Sequence, residues 1–279
     1  MDKLADLHTH TTSSDGCHTP TQVVEAAAKA GLTAVAITDH DTVAGIDEAL
    51  EAGKHNWIEV IPGIEISTIY HDKVEVHILG YFIDHKSPSL IEKLDVLKNA
   101  RYDRARQMVE KLNAVGVHIS FDRVLELAQH GAVGRPHVAK AICEVGAASS
   151  MDSAFGRFLQ EGGPGYVPRY KVTPLEAMEI ISEAGGVSCA AHVAKLRRDE
   201  IIVELVGSGL RAIEVNHPDH SSAGRKFYKR FAQSRGLIAT GGSDAHGFAG
   251  NIRPGVGDVT VPYGVVIELR IKSRLRREC

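Results

Sequence analysis

Residues 4–40 read LADLHTHTTSSDGCHTPTQVVEAAAKAGLTAVAITDH, and this stretch decides the fold class. Leu4 to His8 is a short β-rich run. Thr19-Pro20-Thr21-Gln22 then supplies a helix start: a threonine cap, a proline at the first helical position and a glutamine three residues after the cap. The helix Val23 to Ala30 follows, Gly31 stops it, and Thr33 to Thr38 is the next strand, ending at Asp39 and His40. A strand, a helix and a strand in such quick succession are the repeating unit of a parallel sheet or barrel.

The rhythm continues with a third strand, Ile58 to Ser67, containing Glu65, and a fourth, Val74 to Phe82, containing His77. The pattern then turns helical over Ser89 to Val115, Asp122 to Gln129 and Pro136 to Glu144. Residues 89–171 are therefore expected to form an inserted helical subdomain, and 1–88 with 172–279 the barrel. The segment EGGPGYVP at 161–168 leads back, and Thr173-Pro174-Leu175-Glu176 repeats the capped helix start. Val187 to His192, Leu210 to Val215 and Leu237 to Gly242 are the remaining predicted strands.

A chain of 279 residues with 43% hydrophobic positions can bury a core of barrel size. No apolar run approaches the roughly 20 residues of a membrane span. The start MDKLADLHTH lacks the plan of a signal peptide, so a cytoplasmic, membrane-free protein is expected. Cys17, Cys143, Cys189 and Cys279 form no CxxC pair, which argues against a disulfide framework and a thiolate zinc site. The net charge of −3 is unevenly spread: residues 98–171 hold 11 Lys/Arg against 7 Asp/Glu, +4, leaving −7 elsewhere. That stretch suits a phosphate-rich ligand as well as it suits an ordinary solvated helical surface.

His8 and His10 fall on one face of a strand, about 7 Å apart along the backbone, close enough to share a metal. A single such pair is weak, but other ligand-type residues occupy the same structural place, the carboxyl ends of predicted strands. They are His40, Glu65, His77, His192, Asp244 and His246. In barrels that end is where sites assemble. Imidazoles and carboxylates without thiolates suit a catalytic manganese, iron or zinc better than a closed structural zinc.

The motifs HTH at 8–10, Asp15-Gly16, TDHD at 38–41, PGIEIS at 62–67, VHILGY at 76–81, RPH at 135–137, AH at 191–192 and SDAH at 243–246 resemble the polymerase-and-histidinol-phosphatase (PHP) family. The likeness runs in order from residue 6 to about 258. It is nearest to the branch with a helical insertion that removes the 3′-phosphate of 3′,5′-bisphosphonucleotides and trims short RNA from the 5′ end. The resemblance implies an α/β fold, a distorted (β/α)7 barrel, with three divalent ions, often Mn2+, with Zn2+ or Fe2+ also found. Carried over, His8, His10, Glu65 and Asp244 would hold the first ion. Glu65 would bridge to a second, shared with His77 and His137, and Asp15, His40 and His246 would hold the third. Asp15 stands where many members have histidine, as is usual in the branch named.

Three divalent ions, about +6, against three carboxylates leave roughly +3, which a phosphate dianion and a hydroxide would balance. Among substrate contacts, Arg135 suits a phosphate clamp, Ser13 the same group, and His192 a phosphate contact or the acid that protonates the leaving oxygen. Arg169 and Lys171, flanking Tyr170 and near Tyr166, offer charge for a second phosphate and rings for a base. Expected partners are a phosphorylated nucleotide and possibly short RNA, with no obligate protein partner. The alternatives are a histidinol-phosphate-type phosphatase, a hydrolase of the amidohydrolase superfamily, and a metal-binding module without turnover. The basic end, Lys272, Arg274, Arg276 and Arg277, permits a solvated face, an RNA contact or an interface.

Overall fold

The computed structural model describes residues 3–71, 73–128, 133–168, 170, 172–247 and 254–277, with side chains to 274. Eight strands form one sheet. They are β1 (Leu4–Asp6), β2 (Ala34–Ile37), β3 (Glu59–Tyr70), β4 (Val74–Tyr81), β5 (Val187–Ala190), β6 (Ala212–Asn216), β7 (Ile238–Gly241) and a short β8 (Val261–Pro262), in the order β7-β6-β5-β4-β3-β2-β1-β8. β1, β2 and β3 are parallel, β4 runs antiparallel to both β3 and β5, and β5, β6 and β7 are parallel again. Past their ends, β1 and β7 meet: His10 N–H donates to Ala245 O at 3.0 Å and Asp244 N–H to His8 O at 2.8 Å. The sheet is thereby nearly closed, a seven-stranded barrel with β8 on its outer edge, distorted by the reversed β4.

The expected helix starts form as read. Thr19 and Thr173 each close a reciprocal capping box, opening α1 (Pro20–Lys29) and, after the insertion, α7 (Pro174–Glu183). A helix that the sequence reading left unassigned, α2 (Ile46–Asn56), joins β2 to β3. β2 shows why the strands read as continuous apolar runs. Ala34 and Ala36 pack with Ala5, Leu79 and Tyr81, while Val35 and Ile37 pack with Val23, Val24 and Ala49 of α1 and α2. Both faces are covered.

The helical stretch comprises α3 (Pro88–Ala114), α4 (Phe121–Ala128), α5 (Arg135–Glu144) and the short α6 (Met151–Ala154), which runs into a π turn over Phe155–Leu159. α3 belongs to two cores. Its Leu90, Leu94 and Leu97 join the cluster around β3, β4 and α7, whereas Ala105, Met108, Val109 and Leu112 join a separate cluster of residues 105–167. Beyond β5, α8 (Asp199–Gly207) and α9 (Ser222–Ser234) alternate with strands, and α10 (Gly264–Arg277) closes the barrel's far end, Val266 and Leu269 packing on Ala5 and Val187. Among the described residues no helix is long and apolar enough to cross a membrane.

Candidate metal centre

Several predicted strands end sooner than their sequence suggested, because the backbone leaves the ladder where the polar residues begin. β1 stops at Asp6 and β5 at Ala190, and His192 and Asp244 are left-handed, with φ of 32° and 52°. Non-glycine residues rarely hold that conformation, and they concentrate where function demands a particular direction.

Glu65, 1% exposed on β3, is the hub. Its Oε2 lies 3.3 Å from His8 Nε2, 3.3 Å from His10 Nε2 and 3.1 Å from His40 Nδ1. Its Oε1 lies 2.8 Å from His77 Nδ1 and 3.3 Å from His192 Nε2. Asp244 Oδ1 completes one face, 3.4 Å from His8 Nε2 and 3.2 Å from His10 Nε2. A second carboxylate, Asp15, faces His246 Nε2 at 3.4 Å and His40 Nε2 at 4.0 Å. Asp15 sits in a tight turn in which Gly16 N–H donates to Thr11 O at 2.9 Å, and a side chain at Gly16 would collide with His10 O at 2.6 Å.

Three further acids hold these residues in place, and the sequence reading missed all three. Asp39, between Thr38 and His40, accepts from Thr11 N–H (2.7 Å) and from the hydroxyls of Thr11 (2.8 Å) and Ser14 (2.6 Å), fixing the Asp15 turn. Asp6 accepts from Ser243 N–H and Oγ–H at 2.9 and 2.6 Å, fixing the loop of Asp244. Glu214 on β6 takes His8 Nδ1–H at 3.0 Å and His192 N–H at 2.7 Å. His217 Nδ1 accepts from Asp219 N–H at 3.1 Å, so its Nε2–H is directed at Asp244 Oδ2, 3.3 Å away. Asp6 and Glu214 were lone acids in apolar strands, a pattern that ordinary structural carboxylates share, and Asp39 lay within the TDHD motif without a role of its own.

Electrostatically the cluster asks for positive charge. Burial alone would push the His8 imidazole down, but Glu214, Glu65 and Asp244 hold it well above its usual range. Burial is likewise outweighed at His10, which Asp244 and Glu65 raise to about 10, and at His77, which Glu65 raises to about 9. His40 goes the other way, to about 3, because burial there exceeds the pull of Glu65 and Asp15. Despite burial, the surrounding imidazoles hold Glu65, Asp15 and Asp244 well below the carboxylate range.

Divalent ions could supply that charge instead, and the donor spacing fits them. Two donors bound to one ion at about 2.0–2.2 Å stand roughly 3.0–3.5 Å apart. His8 Nε2 and His10 Nε2 stand 3.1 Å apart, and each lies 3.2–3.4 Å from Glu65 Oε2 and from Asp244 Oδ1. Three other sets converge within 4.8 Å: His40, Glu65 and His77; His10, Asp15, His40 and His246; and His8, Glu214 and His217. His10 Nδ1 and His40 Nδ1 are buried without a hydrogen-bond partner, the latter at ion-pair distance from Glu65 but out of line with it.

Two of the expected site residues, His137 and His192, lie at different distances from His77. His137 was expected beside His77, but it lies in the first turn of α5, where its Nδ1 accepts from Gly134 N–H at 3.1 Å, and it joins none of the donor groups among the described residues. His192 lies beside His77 because β5 is the neighbour of β4: Ala191 N–H donates to His77 O at 3.0 Å, and the rings of His77 and His192 lie 5.1 Å apart, although His192 joins none of the donor groups among the described residues either. Arg135 Nη2 is 3.6 Å from Glu75 Oε2, and Glu75 Oε1 is 2.9 Å from His77 Nε2, which puts Arg135 at the edge of the centre. Ser13 N–H donates to Thr11 Oγ1 at 3.0 Å on the Asp15 turn. Arg169 and Lys171 lie outside the described residues.

Above the hub opens a cavity of about 370 Å³, lined by Glu65, His77, His192, Asp244 and His246 together with Val74, Leu196 and Lys195. A barrel with a buried histidine and carboxylate centre at the carboxyl ends of its strands, open to one cavity, defines a metal-dependent hydrolase. Residues 6–139 match the PHP domain. The chain is 35% identical over 250 residues to a 5′-3′ exoribonuclease of Escherichia coli, covering 87% of this chain and 85% of that one. It is 33% identical over 247 residues to a 3′,5′-nucleoside bisphosphate phosphatase of Chromobacterium violaceum, covering 86% of each. A solved structure from Bifidobacterium adolescentis, described as a candidate metal-dependent phosphoesterase, matches with a TM-score of 0.87 and 32% identity over 96% of both chains. The chain belongs to the PHP family and is a metal-dependent phosphoesterase.

Proposed function

We propose that this phosphoesterase acts in the cytoplasm on nucleotides, removing the 3′-phosphate of 3′,5′-bisphosphonucleotides and trimming short RNA from the 5′ end, with three divalent ions, Mn2+ foremost. The observation that carries the reading is the convergence of five imidazoles on the two oxygens of Glu65 beneath an open cavity. The two relatives acting on nucleotides or RNA support the substrate class.

His8, His10, Glu65 and Asp244 would hold one ion, Glu65 with His77 and His192 a second, and Asp15, His40 and His246 a third. Bound divalent ions supply Lewis acidity to a phosphoryl group and lower the pKa of water. The chain's own part is orientation. Glu214 and His217 fix the directions of His8 and Asp244, while Arg135 stands at the rim to pair with phosphate oxygens. His192, 3.3 Å from Glu65 Oε1, would serve that second ion rather than protonate the leaving oxygen. The test is phosphate release, with added manganese, from a 3′,5′-bisphosphonucleotide, a nucleoside monophosphate, histidinol phosphate and a 5′-phosphorylated oligoribonucleotide. Release from the first and last is expected, and turnover of histidinol phosphate alone would overturn the nucleotide reading.

A further inference from the structure

The cavity over the centre carries one basic side chain among the described residues, Lys195, which stands apart from the metal-ligating groups. We propose that the turn from His192 to Arg198, through Lys195, is the subsite for the substrate's second phosphate, the one that is not hydrolysed; this rests on the nucleotide reading above.

Lys195 lines the same cavity as Glu65, His77 and Asp244, and is the only lysine or arginine to do so among the described residues. The turn that presents it is pinned to the sheet. His192 N–H donates to Glu214 Oε2 at 2.7 Å, and Ala194 N–H donates to His220 Nε2 at 3.2 Å. His220 Nδ1–H in turn donates to Val215 O at 2.9 Å. Left-handed residues, His192 at φ 32° and Arg197 at φ 51°, bound the turn at its two ends. Such a conformation is kept where the surrounding structure imposes a direction. Val74 and Leu196 add apolar wall to the cavity beside Lys195, suited to a ribose or base.

Lys195 Nζ rests 2.6 Å from Asp219 Oδ2, and both side chains are about half exposed, at 46% and 54%. An exposed pair of this kind is weak. A phosphate offers more negative charge and more acceptor oxygens than the carboxylate, so it can take the ammonium from Asp219. The Asp219 backbone N–H donates to His217 Nδ1 at 3.1 Å, which sets where the carboxylate projects, so Lys195 would swing between Asp219 and the phosphate.

The experiment compares kcat/KM for adenosine 3′,5′-bisphosphate and adenosine 3′-monophosphate in the wild type, Lys195→Met, Lys195→Arg and Asp219→Asn. The wild type should prefer the bisphosphate. Lys195→Met should cut kcat/KM on the bisphosphate about 10- to 100-fold, chiefly through KM, with a much smaller loss on the monophosphate and no change in metal content. Lys195→Arg should restore most of the preference, and Asp219→Asn should lower KM for the bisphosphate. Equal losses on the two substrates in Lys195→Met, or a preference that survives it, would overturn the subsite while leaving the nucleotide reading in place. A wild type without preference would overturn that reading and the subsite together.

Discussion

At the scale of single residues the centre depends on Glu65, whose two oxygens meet five imidazoles. Glu65→Gln keeps the shape and removes the charge. Metal content measured by elemental analysis should fall by at least one ion per chain, and phosphatase activity by about a thousandfold or more. Glu214→Gln is a gentler change, since an amide oxygen can still accept from His192 N–H. It should weaken metal affinity by about 10- to 100-fold, read by competition with a chelator, with a fold intact by circular dichroism. The contrast shows what the sequence could and could not reveal. His8, His10, His40, Asp244 and His246 were legible because they recur just past strand ends, whereas Glu65 and His77 lie inside β3 and β4 and were legible through the PGIEIS and VHILGY motifs. Glu214 was not, because a lone acid in the strand AIEVN carries no sign of its partners, and the choice between His137 and His192 depended on which strand lies beside β4.

At the scale of elements, α3 is tied to the loop after β2 by Arg101, which binds Asp41 through Nε at 2.7 Å and also through Nη2. Asp41 follows His40 directly, is left-handed at φ 53° and takes Ser67 N–H at 2.9 Å. Arg101→Met would leave Asp41, only 6% exposed, without its cation. Breaking a buried pair from one side typically costs about 3–5 kcal/mol, reduced here because Arg101 itself is 19% exposed. Urea denaturation should therefore show a loss of roughly 2–4 kcal/mol. Activity should fall further than stability alone explains, because the turn of His40 is loosened. The capping boxes at Thr19 and Thr173 were readable in advance because their chemistry is local. The reversal of β4 was not, since strand direction is set by distant pairings that no local pattern records.

At the scale of the whole molecule, the raised imidazoles make metal uptake a proton-releasing process. His10 at about 10 and His77 at about 9 are protonated in the metal-free protein at neutral pH, and metal ligation must displace those protons. Calorimetric titration with manganese at pH 7.5, in two buffers of different ionisation enthalpy, should report release of about one to three protons per chain. An ordinary imidazole titrates near 6.5, so in the metal-free protein the stability from these two groups is complete below that pH. It is lost as the pH rises through about 9 to 10. Chelated protein should accordingly melt earlier at pH 9.5 than at pH 6.5, a difference that loading with manganese should shrink. The donors come from opposite ends of the chain: Asp6 binds Ser243 across 237 positions, and His8 binds Glu214 across 206. Ions shared between His8, His10 or His40 and the distant Asp244 and His246 would act as a clasp, because that part of the centre is complete only after the two ends have met. Release of metal on heating would then be a marker of the barrel's opening.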